Sequence, residues 1–334
     1  MSKVASLSKS EKERAQALHE RALVIDAMNP SAKDEAYLQK IRGAGVDVVG
    51  HTLGPFYYNF RQVVEGIADW YVRAEQFSNQ MRLILRPEDI HRAQKEGKVG
   101  VMFKTNNIHI EEDLRLLRIM KQLGMKSLQL AYNEKNFVGD GCGERTDCGL
   151  SYFGIKIVEE MNKLNLLVDL SHVGYATSRD AIEVSKDPVV FTHSNARGLC
   201  ENARNIPDDL IRACAEKGGV IGINGFPYFL RKDGNPTLSD FIGHIEYVEK
   251  LVGVDHVGIG TDMIEGIPMT DARWARLLAR PEIYGKLPWN YWPSSVTQFP
   301  EITGGLVARG YSDQEVEKIL GLNFLRVFQK VWRE

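Results

Sequence analysis

Leu167-Val168-Asp169-Leu170-Ser171-His172 is an apolar run that ends in a histidine. Val189-Val190-Phe191-Thr192-His193 repeats the pattern, and Val257-Gly258-Ile259-Gly260-Thr261-Asp262 ends in a carboxylate. Each run is short, apolar and flanked by a helical pattern, as expected of a strand buried on both faces. Working outward, the same reading gives strands at 23–28, 46–51, 99–106, 127–132 and 220–224, with the last strand beginning at His256. Helices are expected at Lys9–Arg21, near Ala32–Arg42, over Phe60–Leu85, from Pro87, at Glu111–Leu123, Ser151–Leu164, Tyr175–Ser185, from Pro207, at Ser239–Leu251 and at Asp313–Trp332. Strands alternating singly with helices predict an α/β chain folded as a TIM-like (β/α)8 barrel. A doubly wound open sheet fits less well, because no glycine-rich phosphate loop follows the first strand. Without an internal repeat or a low-complexity segment, residues 1–334 are expected to form one domain.

The composition narrows the function classes. A net charge of −2 gives no electrostatic reason to bind nucleic acid or an anionic membrane. No apolar run approaches the roughly 20 residues that span a bilayer. Met1–Arg14 is polar and lacks the apolar core of a signal peptide, which predicts a cytoplasmic location and small-molecule partners. Four cysteines in 334 residues are no disulfide framework. Cys142 and Cys148 share the glycine-rich loop Val138–Gly149, but without C-x₂-C spacing they are expected to be free thiols rather than a zinc pair.

In a barrel of this type the C-terminal ends of the strands line the mouth of the site. Those ends carry Met28, Asn29, His51, Asn106, Tyr132, His172, His193, Asn224 and Asp262. Three of the chain's eight histidines fall there. His172 and His193 at successive strand ends suit a zinc ion, and Asp262 or His51 is placed to complete the shell. Asp262 is suited equally to act as general base. Of the other five histidines, His19, His91, His244 and His256 lie in helical patterns or at the barrel floor and read as structural, while His109, in the loop after the third strand, is left open.

The chain resembles the renal (membrane) dipeptidase family of zinc peptidases. The motifs that carry the resemblance are Asp169-Leu170-Ser171-His172, Thr192-His193-Ser194-Asn195-Ala196-Arg197, Ala203-Arg204-Asn205-Ile206-Pro207-Asp208-Asp209 and Gly258-Ile259-Gly260-Thr261-Asp262. Tyr132-Asn133-Glu134-Lys135-Asn136 and Gly139-Asp140-Gly141-Cys142 match a bacterial branch, and Asn323-Phe324-Leu325-Arg326-Val327-Phe328 fits the family's ending. The resemblance implies a TIM-like barrel, a two-zinc site that hydrolyses dipeptides, and a homodimer. It implies that His172 and His193 hold the second zinc, that Asp262 contacts the first and handles the proton, and that Arg204 grips the substrate carboxylate. Tyr132 stands where many members carry a substrate-polarising histidine.

The first half departs from that pattern. The family's Asp-x-His-x-Asp appears as Asp26-Ala27-Met28-Asn29-Pro30, and its bridging glutamate appears as Asn106. A thioether is a poor zinc donor and proline has none. At most one zinc ion is therefore expected, at His172 and His193. Asn106 and Tyr228 join Arg204 as substrate-contact candidates, and Phe226-Pro227-Tyr228 and Trp289–Trp292 are expected to wall the pocket.

Strand alternation turns Lys104 inward one layer below Asn106. A buried ammonium needs a partner, and Asp26 on the neighbouring strand is the expected one. Alternatively Lys104 replaces the charge of a lost zinc, or acts as base or nucleophile. Three functions follow. The first is a dipeptidase-like amidohydrolase acting on a small carboxylate-bearing amide or amino-acid conjugate. The second is a metal-independent lyase or acyl transferase using Lys104 and Asp262. The third is a non-catalytic binding relative.

Overall fold

The computed structural model describes residues 7–31, 34–53, 59–268 and 272–333. Its strands are β1 (Ile25–Asp26), β2 (Val48–Thr52), β3 (Met81–Leu83), β4 (Val99–Thr105), β5 (Met125–Gln129), β6 (Leu167–Asp169), β7 (Val190–Phe191), β8 (Val220–Ile223) and β9 (Val257–Ile259). Eight of them run in the order β1-β2-β4-β5-β6-β7-β8-β9, each pair parallel. The ring closes where Ala27 N donates to Ile259 O at 2.9 Å and Asp262 N donates to Met28 O at 2.8 Å. The architecture is the expected TIM-like (β/α)8 barrel. Among the described residues, no helix is long and apolar enough to cross a membrane.

The ninth strand corrects the sequence reading. The helix that starts at Phe60 stops at Gln76, and Met81–Leu83 pairs with the lower end of β4. β2 holds one edge of β4, and β5 joins the other only from Phe103 upward. β3 covers the edge left open below it, with Val99 N donating to Gln80 O and Ile84 N to Val101 O. The expected helix at Glu111 begins instead at Arg115, because Glu111 and Glu112 adopt positive φ. Ala32 and Lys33, where a helix was expected to start, lie outside the described residues; the helix there runs Glu35–Gly43. Helix Lys9–Arg21 has the expected bounds, its N-terminus closed by a Ser8–Glu11 capping box. The C-terminal helical segment runs from Asp313 to Val331 through one π turn at Lys318–Leu322.

Side-chain alternation sorts the barrel interior into layers. The floor is apolar: Val48, Met102, Leu167, Val190 and Val220 pack with Phe324 and Phe328 of the C-terminal helix. Phe324 reaches the strands because Gly258 has no side chain, since a Cβ there would lie 2.5 Å from the phenyl ring. The layer above holds Lys104, Asp169 and Thr192, and above it lies the mouth. Val49, Val101, Phe103 and Val168 face outward into the shell beneath the helices.

His244 is structural, as its helical position suggests. Ala196 N donates to its Nδ1 at 3.2 Å and its Nε2 faces Leu230 O at 3.1 Å. Burial pushes its pKa down to about 4. A depressed pKa means that its contribution to stability is present above the unfolded value near 6.5 and is lost as pH falls toward 4. The stability difference between the protein and His244→Gln, from urea unfolding, is expected to shrink by on the order of 3 kcal/mol between pH 7 and pH 4. A difference that does not change with pH would show that the ring is not held neutral.

Candidate active site

His172 follows β6 and His193 follows β7, and both are buried at the barrel mouth. Their Nε2 atoms lie 3.1 Å apart. His172 and Asp262 take the left-handed backbone conformation, with φ of 66° and 55°. Such values are uncommon outside glycine and turn each chain sharply at its strand end. Gly260 lets β9 come close to β7: a Cβ there would sit 1.8 Å from Thr192 O. The result is that donor atoms of His172, His193 and Asp262 lie within 4.8 Å of one another.

Each of the three is held by a further partner. His172 Nδ1 lies 2.7 Å from Asn133 Oδ1, and its ring stacks on Tyr132 at 4.0 Å. His193 Nδ1 lies 2.7 Å from Thr192 Oγ1. Asn224 Nδ2 donates to Asp262 Oδ2 at 3.4 Å. Burial pushes both imidazoles well below the usual histidine range, with the Arg204 and Lys104 cations adding to it. They are neutral and able to offer lone pairs. Burial raises the Asp262 carboxyl to about 6 against the pull of Arg204.

Lys104 is fully buried and points inward, but its partner is not Asp26. Its ammonium donates to Asp169 Oδ2 at 2.7 Å and to Thr192 Oγ1 at 2.6 Å. Asp26 is already enclosed by Thr261 N, Thr261 Oγ1 and Asn29 Nδ2 at 2.8, 2.7 and 3.1 Å. Asp169 sits in a matching cage of Thr192 N, Thr192 Oγ1 and Ser171 N. The two cages share the threonine donors and differ chiefly in the Lys104 cation, with Asn29 Nδ2 at Asp26 where Asp169 has Ser171 N, and their carboxyls shift in opposite directions. Burial raises Asp26 to about 6. Burial also opposes ionisation of Asp169, but Lys104 and the hydrogen bonds outweigh it and hold that carboxyl well below the usual range. Engaged in this way below the mouth, Lys104 is not placed to act as base or nucleophile.

His51 is the second correction. It is in register with Phe103, on the outward face of the pleat, and its ring lies 4.6 Å from Trp70. Thr52, in register with Lys104, faces inward in its place. Tyr228 is the third. Its hydroxyl donates to Lys286 O at 3.1 Å and its ring lies against Gly234 and Gly285, away from the donor cluster. Phe226 takes the wall position, backed by Trp289 and Tyr291 at 5.4 and 5.2 Å.

Two cavities flank His172. The inner one, about 30 Å³, is bounded by Met28, Pro30, Asn106, Phe226, Leu277 and Tyr284. It occupies the side where the departures from the family's motif fall. Asn106 Oδ1 is buried there without a hydrogen-bond partner among the described residues. Asp262 and His172 border this cavity too, but with Met28 and Pro30 at the ligand positions the rest of this side adds only neutral oxygens, such as Asn106 Oδ1, and does not fit a second cation. Leu277 and Tyr284 come from the segments Ala272–Leu278 and Pro281–Tyr284. These fold over the mouth through Arg276 and Arg280, which pair with Glu134. The outer cavity, about 330 Å³, is bordered by Cys142, Glu144, Tyr175, Arg197 and Arg204. Arg204 is 2% exposed, and among the described residues its guanidinium donates to His193 O and Ser194 Oγ, at 2.9 and 3.3 Å. Its guanidinium lies over the Phe229 ring and its Nε has no partner among the described residues.

Sequence reasoning missed Asp169, Thr192, Asn133 and Tyr284. Alternation could have found Asp169, which faces inward as Leu167 does. Tyr284, whose hydroxyl meets Tyr132 and Asn133 at 3.0 and 2.7 Å, carries no periodic signal.

Residues 49–333 match the membrane dipeptidase family, peptidase family M19. An uncharacterized dipeptidase of Schizosaccharomyces pombe is 31% identical, over 76% of this chain and 59% of its own. The dipeptidase tcpJ of Claviceps purpurea is 30% identical, over 77% of this chain and 57% of its own. The chain thus spans about three-fifths of the length of these curated relatives. A solved amidohydrolase from Pseudomonas aeruginosa is 33% identical with a TM-score of 0.89, covering 96% of this chain and 99% of that one. The chain belongs to the membrane dipeptidase family.

Proposed function

We propose that this protein hydrolyses dipeptides or related amides bearing a free carboxylate, using one zinc ion held by His172, His193 and Asp262. The observation that carries this reading is the convergence of two neutral imidazoles and one carboxylate within 4.8 Å, at the mouth of a barrel of the dipeptidase family. Two nitrogens and an oxygen suit zinc, and they leave a coordination position open. When bound there, the ion supplies a Lewis acid and lowers the pKa of water.

The chain's own residues supply the remaining functions. Arg204, buried and short of a partner, binds the substrate carboxylate through charge-assisted hydrogen bonds. Asn106 Oδ1 accepts a substrate N–H in the inner cavity. Asp262 takes the proton released when water adds to the amide carbonyl, then returns it to the amine as the C–N bond breaks. Tyr132 holds the His172 ring by stacking, and Leu277 and Tyr284 keep bulk water from the inner cavity. A metal-independent lyase is less well supported, because Lys104 is committed to Asp169 and Thr192.

The test is turnover of dipeptides and N-acyl amino acids by zinc-reconstituted protein. Substrates ending in a carboxylate are expected to be cleaved and their C-terminal amides left intact. Arg204→Lys is expected to lower kcat/KM roughly 100-fold, equivalent to about 3 kcal/mol of charge-assisted hydrogen bonding. Equal cleavage of acids and amides would exclude the carboxylate clamp.

A further inference from the structure

The contacts of one hydroxyl decide which ring nitrogen of His193 carries its proton. Thr192 Oγ1 lies 2.6 Å from Lys104 Nζ, 2.5 Å from Asp169 Oδ2 and 2.7 Å from His193 Nδ1. A hydroxyl has one proton to donate and two lone pairs. An ammonium only donates, so Lys104 occupies one lone pair. A carboxylate only accepts, and two oxygens 2.5 Å apart need a proton between them, so the hydroxyl proton lies on the Asp169 side. One lone pair is left, and it faces His193 Nδ1. Ser171 Oγ, at 3.5 Å, is too distant to compete and already accepts from His193 N at 3.0 Å. At the other end His172, whose Nδ1 donates to Asn133 Oδ1, also has a bare Nε2, so the two Nε2 atoms 3.1 Å apart are converging lone pairs rather than a hydrogen bond.

We infer that Lys104, Asp169 and Thr192 are positioning residues that hold His193 as its Nδ1–H tautomer, leaving the Nε2 lone pair turned toward His172 and the donor cluster. The ammonium sets the direction of the relay. Without it, Thr192 Oγ1 has a vacant lone pair and Asp169 is a buried carboxylate without a cation. The remaining Asp169 oxygen takes Ser171 N and Thr192 N at 3.0 and 3.1 Å, so the carboxylate cannot turn to release the hydroxyl. Imidazole ligands are commonly fixed in this way by a hydrogen bond at the second ring nitrogen. Here the fixing partner is a threonine that is itself held by a buried ion pair.

The inference rests on the proposed function only in giving His193 the role of a donor. The tautomer is read in zinc-free protein, so the two readings fail separately. In protein carrying ¹⁵N-histidine, long-range proton–nitrogen spectra distinguish a protonated ring nitrogen from a bare one. At neutral pH His193 is expected to show a protonated Nδ1 and a bare Nε2, both in the natural protein and in Thr192→Ser. In Thr192→Val, nearly the same shape without the hydroxyl, the ring is expected to populate the Nε2–H form. Zinc affinity by calorimetry is expected to fall roughly 10–100-fold in Thr192→Val and to be retained in Thr192→Ser. A His193 protonated at Nε2 in the natural protein, or a Thr192→Val protein that keeps the Nδ1–H form, would overturn the inference. Should Thr192→Val fail to fold, the natural protein's own tautomer decides. The expected tautomer without zinc binding would sink the metal reading and leave this one standing.

Discussion

Lys104→Met is expected to destabilise the protein by about 3–5 kcal/mol at neutral pH, the usual result of breaking a buried ion pair from one side. Lys104 and Asp169 are both fully buried at 2.7 Å, so the variant leaves a carboxylate inside the barrel without its cation. Asp26 shows what that carboxylate becomes. In an equivalent cage of threonine donors without a cation, its pKa is raised to about 6. In the natural protein the lowered pKa of Asp169 contributes stability above the unfolded value near 3.9, lost only as pH falls through the lower native value. In the variant the sign reverses: the raised pKa costs stability at neutral pH, and the cost is relieved on acidification. The gap from the natural protein, measured by urea unfolding, is therefore expected to be widest near pH 7.5 and to narrow toward pH 4.5. Lys104→Met combined with Asp169→Leu is expected to recover much of the loss, since an apolar pair often replaces a buried ion pair at little cost. A single variant within about 1 kcal/mol of the natural protein would contradict the ion-pair assignment.

His172→Ala and His193→Ala are each expected to lower zinc affinity by more than about 100-fold, beyond what loss of an outer hydrogen-bond partner costs, with hydrolysis falling in step. Each removes one of the two imidazoles whose Nε2 atoms face each other at 3.1 Å. His51→Ala is the matched control. It is a strand-end histidine too, but it faces outward onto Trp70, so zinc affinity should not change.

The contrast between these histidines shows what was legible in the sequence. Period-two alternation placed Lys104 and Asn106 inward, and the barrel rule put His172, His193 and Asp262 at the mouth. His51 misled because its strand runs one residue further than its apolar pattern suggests. Thr52 is the last residue of β2 and takes the inward position. The partner of Lys104 was misplaced because alternation gives the face of a side chain but not its reach. Lys104 spans past β5 to Asp169 on β6, while Asp26 is consumed by Thr261 across the barrel seam. β3 was hidden because Met81–Leu83 follows a strongly amphipathic helix without a glycine or proline to mark the break. The cover built from Leu277 and Tyr284 has no periodicity to read. Its apolar residues acquire meaning only from the cluster they form with Phe226 and Phe229.

The central claim is that one metal position persists at His172 and His193, completed by Asp262 from the other half of the family's site, while the rest of that half, at Met28, Pro30 and Asn106, no longer suits a cation. Elemental analysis of protein purified without chelator, saturated with zinc and then desalted, tests it most directly. One zinc per chain, lost in His172→Ala and His193→Ala and unchanged in His51→Ala, is the expected result. Two tightly held ions per chain, or one that survives loss of both histidines, would contradict it.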